Sequence, residues 1–185
     1  ALLDTPFVLN ISSKNIPYTD SYLEISDSQI KTYAKKYLKT TNKPKIGISY
    51  QGNPNANYNG RDIEFQELLP FLEKIDAQIY SFSMKDERCN RVTNLGKTFN
   101  TFTDTACAIK NMDLIISTDN VILNLAGALG VKTFALFNAQ TNFRWYKLNS
   151  DNVGWYNCVK PFQTNKSDAW ESVFDEVLDE INSTF

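Results

Sequence analysis

A polar turn between two apolar segments constrains the fold of this chain more than any other feature. Residues 114–116 and 133–137 are apolar runs of strand length, and an amphipathic helix ending at Gly130 lies between them. This pattern is typical of a βαβ unit, whose first turn lies at the carboxyl end of a parallel strand and beside the N-terminus of the helix. The N–H groups and the helix dipole there attract an anion such as a diphosphate. The candidate residues of this turn are Ser117, Thr118, Asp119 and Asn120.

The same turn has a purely structural alternative. Ser117, Thr118 and Asp119 are residue types that cap helices wherever they precede one. Spacing alone favours capping, because helix caps are far more frequent than phosphate sites.

The alternation of strands and helices extends over most of the chain. Apolar runs predict further strands at 45–50, 78–82 and 92–95, and helical periodicity predicts helices at 27–40, 65–72, 104–110 and from 170 onward. Strands separated by helices predict an α/β fold, a Rossmann-like three-layer sandwich with a mostly parallel sheet. In this interpretation residues 44–185 form the domain, and residues 1–43 form an extended N-terminal segment and a linking helix capped by Asp27.

Composition excludes several functional classes. The 185 residues are 42% hydrophobic with a net charge of −2, which is typical of a soluble globular protein and gives no footprint for nucleic acid. The sequence has no histidine and only three, widely spaced cysteines, so it predicts neither a metal site nor a Ser-His or Cys-His arrangement. No apolar run spans a bilayer and no signal peptide is evident, so we expect a cytoplasmic protein. Because the sequence begins at Ala1, we expect a fragment.

A second candidate site follows the first strand of the domain. Residues 51–61 are rich in Gly, Asn and Pro and end in an arginine. An ordinary exposed turn has this composition, but so does a loop whose backbone N–H groups and guanidinium hold a phosphate. The candidate residues of this loop are Gly52, Asn53 and Arg61.

Several motifs, in order, resemble a known family. They are residues 45–54 with Arg61, Asp104-Thr105-Ala106, residues 119–130, Phe143-Arg144-Trp145-Tyr146 and Trp155-Tyr156. Together they resemble the C-terminal glycosyltransferase-like region of bacterial tetratricopeptide-repeat proteins, which is similar to the donor-binding half of heptosyltransferases. The resemblance covers nearly all of residues 17–185.

The resemblance implies the C-terminal half of a GT-B fold, which binds a nucleotide-diphosphate-sugar donor without a metal or another cofactor. It also implies that the acceptor side and the catalytic base belong to a missing N-terminal domain, so this chain by itself binds donor without turnover. The implied donor-binding residues are Gly52, Asn53, Arg61, Ser117, Thr118, Asp119, Asn120 and Asn124.

The chain departs from the family pattern at two places. Asn124 stands where the family commonly has a histidine, and Phe82-Ser83 stands where it commonly has Leu-Gln. An amide forms hydrogen bonds but cannot shuttle a proton near neutral pH. Two other readings therefore stay open: a degenerate, non-catalytic domain that serves protein interaction beside tetratricopeptide repeats, and an epimerase-like domain that binds a small molecule.

Overall fold

The fold is a single parallel sheet covered by helices on both faces. It is described here from a computed structural model that defines residues 5–12, 20–52, 61–85, 89–139, 141, 145, 153–164 and 170–185. The strands formed by these residues run in the order β3-β2-β1-β4-β5-β6, and every neighbouring pair is parallel. The strands are β1 Lys45–Ser49, β2 Gln78–Ser81, β3 Val92–Asn94, β4 Leu114–Thr118, β5 Thr133–Phe137 and β6 Val159–Gln163.

Helices on the two faces complete three layers, as the alternating sequence pattern predicts. In chain order they are α1 Thr5–Val8, α2 Asp27–Tyr37, α3 Phe65–Glu73, α4 Phe102–Lys110, α5 Val121–Ala128 and α6 Glu171–Thr184. Strand side chains alternate between the faces. Ile46, Leu114 and Phe134 pack in one buried cluster with α3 and α6, whereas Ile115 packs with α2, α4 and α5. The predicted Rossmann-like sandwich with a mostly parallel sheet is confirmed.

The sheet differs from the sequence prediction at two strands. β6 was not predicted, because Pro161 interrupts its apolar run; a proline, which lacks an N–H, is tolerated on an edge strand such as this one. β4 continues two residues beyond the predicted end, since Ser117 and Thr118 pair with Ala135 and Leu136 of β5. Both side chains are fully buried, so these two residues are strand rather than turn.

Helix boundaries differ in smaller ways. Ser26, not Asp27, caps α2, and the helix ends at Tyr37 rather than near residue 40. α4 begins two residues earlier than predicted, because Thr101 and Asp104 form a reciprocal capping box. Residues 5–8 form a short helix within the segment predicted to be extended.

The segment before β1 packs on the helices that follow it. The backbone N–H groups of Tyr22 and Leu23 donate to the carbonyl of Ala128 at the end of α5. Tyr33 of α2 is buried among residues of α4 and α5, and its hydroxyl lies 2.6 Å from Thr98 Oγ1. Burial raises the pKa of Tyr33 to about 12. The boundary at residue 43 stays a prediction.

No helix within the described ranges is long and apolar enough to cross a membrane. In the same ranges, no three His, Cys, Asp or Glu side chains lie together in an arrangement that could hold a metal ion. Cys89, Cys107 and Cys158 are free thiols, and burial raises the pKa of Cys158 to about 11.

Candidate functional site

The sheet topology creates a crevice at the carboxyl ends of β1 and β4. From this central pair the chain crosses over in opposite directions, through α3 to β2 and through α5 to β5. In doubly wound folds, ligands bind at the point where the direction of the crossovers reverses. A cavity of about 620 Å³ opens there. Its lining comprises Ser49, Gln51, Gly52, Arg61, Asp62, Phe82, Ser83, Met84, Lys85, Phe99, Phe102, Thr105, Asn120, Val121 and Ile122.

Asn120 joins the two strands below the cavity. Its side-chain oxygen accepts from the N–H of Ile122 at 2.8 Å, which makes it the N-cap of α5. Its Nδ2 lies within hydrogen-bonding distance of Ser49 Oγ at 3.0 Å and of the Gln51 carbonyl at 3.3 Å. Because this amide is buried and bonded on both sides, it fixes the start of α5 relative to the end of β1.

The loop after β1 is closed at its base beside the cavity. The N–H of Ile63 donates to the carbonyl of Tyr50 at 2.9 Å, and the N–H of Gly52 donates to Asp62 Oδ1 at 2.9 Å. Asp62 also lies 3.5 Å from Nε of Arg61, whose guanidinium packs against the Cα side of Gly52. The two predicted residues Gly52 and Arg61 are therefore in contact, although nine positions separate them in the sequence.

Apolar side chains line the same cavity as these polar groups and form its apolar wall. Phe82 follows β2 and packs against Phe99, with ring centroids 5.4 Å apart. Phe102 and Val121, the first residues of α4 and α5, are 69% and 55% exposed although they line the cavity. A cavity lined by aromatic and aliphatic side chains and by a guanidinium suits a ligand with one flat apolar end and one anionic end.

The helix α4 presents its own N-terminus at this wall. Thr101 accepts from the N–H of Asp104, and the Asp104 carboxylate accepts from the N–H groups of Asn100 and Thr101. Those backbone hydrogen bonds hold the pKa of Asp104 below its usual value. The Asp104 carboxylate therefore forms part of the capping box of α4. Thr105, the next residue, lines the cavity.

The cavity brings together some of the predicted site residues and not others. Gly52, Arg61 and Asn120 line it. Ser117 and Thr118 are buried in β4, where Ser117 Oγ lies 2.9 Å from the Thr118 carbonyl oxygen and 3.2 Å from Asn120 Oδ1. The cap of α5 is Asn120, so capping by Ser117, Thr118 or Asp119 is wrong.

Three further predicted residues lie elsewhere. Asp119 is half-buried and outside the cavity lining. Asn124 also lies outside the lining; its Nδ2 donates to the Asn120 carbonyl at 3.0 Å, and its Oδ1 accepts from the Tyr156 hydroxyl at 3.3 Å. Asn53 lies outside the described residues, as do Phe143, Arg144 and Tyr146.

The aromatic residues after β5 are mainly packing residues within the described ranges. Trp145 is buried against Phe137 of β5, with centroids 5.2 Å apart. The ring of Tyr156 packs so closely on Gly127 of α5 that a Cβ at that position would overlap it. Trp145 and Tyr156 therefore pack within the fold, as large aromatic side chains usually do.

Sequence reasoning missed the part of the cavity that follows β2 and β3. Ser83, Met84 and Lys85 come directly after a predicted strand. The signal was available, because the carboxyl ends of all strands in a parallel sheet lie at the same edge. Phe99 and Phe102 carried no comparable signal, since aromatic residues are most often core.

Comparisons with known proteins agree with this fold. No protein-family model matches the chain. Protein FlbA of Caulobacter vibrioides is 34% identical over 74 residues, which are 40% of this chain and 12% of FlbA.

Among solved structures, E. coli ADP-heptose LPS heptosyltransferase II has a TM-score of 0.60 at 16% identity. The match covers 87% of this chain and 52% of the heptosyltransferase II chain. E. coli heptosyltransferase WaaC with ADP-2-deoxy-2-fluoro heptose has a TM-score of 0.58 at 8% identity, matching 94% and 53% respectively. The glycosyl transferase family 9 structure from Veillonella parvula has a TM-score of 0.55 at 12% identity, matching 88% and 47%. The chain thus spans about half the length of these enzymes and shares their fold.

Proposed function

We propose that this chain is the donor-binding half of a GT-B glycosyltransferase, corresponding to the C-terminal half, and that it binds a nucleoside diphosphate sugar. The observation that carries the proposal is the cavity at the β1–β4 crevice, whose lining includes Arg61 together with the packed pair Phe82 and Phe99. The similarity to heptosyltransferase structures supports the same assignment at the level of fold. A cytoplasmic location and a link to tetratricopeptide repeats belong to the same proposal.

The cavity offers complementary chemistry to each part of such a ligand. Its volume of about 620 Å³ lies within the usual range for small-molecule sites. The guanidinium of Arg61 and the N-terminus of α5 at Val121 favour a diphosphate without a metal ion. The aromatic wall favours a nucleobase, which has a flat apolar face.

Replacing Arg61 by Ala is expected to weaken binding of a nucleoside diphosphate by about 1–3 kcal/mol, because a charge-assisted hydrogen bond is lost. Isothermal titration calorimetry with ADP, UDP, GDP and CDP measures the change. Lys43→Ala is the matched control, because it also removes one cation. Lys43 lies just before β1, at the amino-terminal ends of the strands and away from the cavity, where it pairs with exposed Asp76. A variant at Arg61 that melts far lower but keeps its affinity would show that Arg61 is structural.

The isolated chain is expected to bind donor but to transfer no sugar. Asp62 is the carboxylate among the described lining residues, and it already accepts from Gly52. The Asn124 amide, which cannot shuttle protons, is held by Asn120 and Tyr156. Incubation with a panel of nucleotide sugars, followed by chromatography of released nucleotide, tests this. Release above the buffer blank that Asp62→Asn abolishes would contradict it.

A non-catalytic interaction domain is the second candidate. Exposed apolar side chains in the cavity lining favour it, since Met84, Phe102 and Val121 line one cavity and Met84 is 70% exposed. Calorimetry distinguishes the two functions, because an interaction domain leaves every nucleoside diphosphate in the panel unbound.

A further inference from the structure

We infer that Lys85 is a second cationic contact for the diphosphate and that Asn94 is a positioning residue that fixes it at the cavity. This inference rests on the proposed function and names a further part of the same site. It concerns the turn after β2, residues 83–85, together with the end of β3.

Lys85 is the second cation of the described cavity lining. It lines the same cavity as Arg61, and it approaches from the end of β2 whereas Arg61 approaches from the loop after β1. Its side chain is exposed and forms no ion pair within the described part of the chain. Among the described residues, no carboxylate therefore competes with an anionic ligand for this ammonium. Two cations that reach one cavity from the ends of different strands match the spread charge of a diphosphate.

The backbone that carries Lys85 is held by hydrogen bonds on both sides. Within the turn, the N–H of Lys85 donates to Ser83 Oγ at 3.1 Å, and the N–H of Ser83 donates to Ser81 Oγ at 3.1 Å. From the neighbouring strand, Asn94 Nδ2 donates to the carbonyl of Lys85 at 2.6 Å. The turn is thus tied to β3 at the residue that carries the ammonium.

Asn94 is itself fixed by its surroundings. Its backbone pairs in register with Ser81 of β2, and its Oδ1 accepts from the N–H of Gly96 at 2.8 Å. Only a side chain with both a donor and an acceptor at this length can bond Gly96 and Lys85 together, and an amide has both. Asn94 therefore limits the positions from which the flexible lysine stem can reach into the cavity.

A double-mutant cycle tests both residues. Lys85→Ala is expected to weaken UDP or ADP binding about 3–10-fold, whereas its binding of the matching nucleoside, which lacks the diphosphate, changes less than about twofold. Lys85→Arg keeps the positive charge and is expected to keep most of the affinity. Asn94→Ala is expected to weaken diphosphate binding about 3-fold alone but to have little effect in the Lys85→Ala background, because the two act through one contact. If Asn94→Ala does not fold, Asn94→Ser, which keeps an uncharged acceptor for Gly96 and lacks the reach to Lys85, takes its place.

The outcomes separate this inference from the proposed function. Absence of any nucleoside diphosphate binding by the unmodified chain would overturn both. Binding that weakens in Arg61→Ala but not in Lys85→Ala would overturn the role of Lys85 alone. Equal losses from Asn94→Ala in both backgrounds would show that Asn94 supports the fold and does not position Lys85.

Discussion

Replacing Asn120 by Ala is expected to lower the free energy of unfolding by about 2–4 kcal/mol, because the change removes a helix cap and leaves buried polar groups without partners. The N–H of Ile122 loses its acceptor, and the hydroxyl of Ser49 loses a donor 71 positions away in the sequence. Chemical denaturation followed by tryptophan fluorescence measures the loss.

Asn124→Ala provides the matched control one helical turn later. Its amide donates to a helix carbonyl and meets the Tyr156 hydroxyl at 3.3 Å, and the side chain is only half-buried. We expect this variant to lose about 1 kcal/mol or less, since water can replace its hydrogen bonds. Equal losses from the two variants would contradict the idea that the buried network at Asn120 holds β1 and α5 together.

The role of Asn120 explains why the sequence assigned the cap of α5 to the wrong residues of this turn. Ser117 and Thr118 are ordinary capping types, so local preference favoured them. Their burial comes from pairing between β4 and β5 and from the helices above the sheet, which a local pattern does not report. Asn120, two residues after the end of β4, is the N-cap of α5, and its amide reaches Ser49 of β1.

The fold was predictable for a related reason. The alternation of strands and helices is a repeated local signal. A helix between two strands provides the crossover connection that parallel neighbours need, so the alternation predicts parallel pairing. β6 was not predicted, because an edge strand needs neither a continuous apolar run nor a hydrogen bond from every backbone N–H, as Pro161 illustrates. The cavity wall was not predicted, because Phe82 and Phe99 meet only after β2 and β3 have been placed side by side.

Replacing Gly96 by Ala is expected to cost about 2–3 kcal/mol of folding free energy, since overpacking against rigid atoms forces a backbone shift. A Cβ at Gly96 would lie 2.6 Å from the carbonyl carbon of Ser83 and closer still to its oxygen. The backbone of Ser83 belongs to the turn that carries Lys85 into the cavity, so the strain falls on the site as well as on the fold. Thermal unfolding and diphosphate affinity are both expected to decrease.

Gly52→Ala makes the same chemical change against a different kind of neighbour. A Cβ there would lie 2.5 Å from Cζ of Arg61, the far end of a flexible side chain that can swing aside at little cost. We therefore expect about 1 kcal/mol or less of destabilisation but a loss of diphosphate affinity that approaches that of Arg61→Ala, because the guanidinium is displaced from the cavity. Affinity that survives in Gly52→Ala would mean that the position of Arg61 does not matter for binding. A stability loss as large as that of Gly96→Ala would mean that the Arg61 side chain is held as rigidly as backbone.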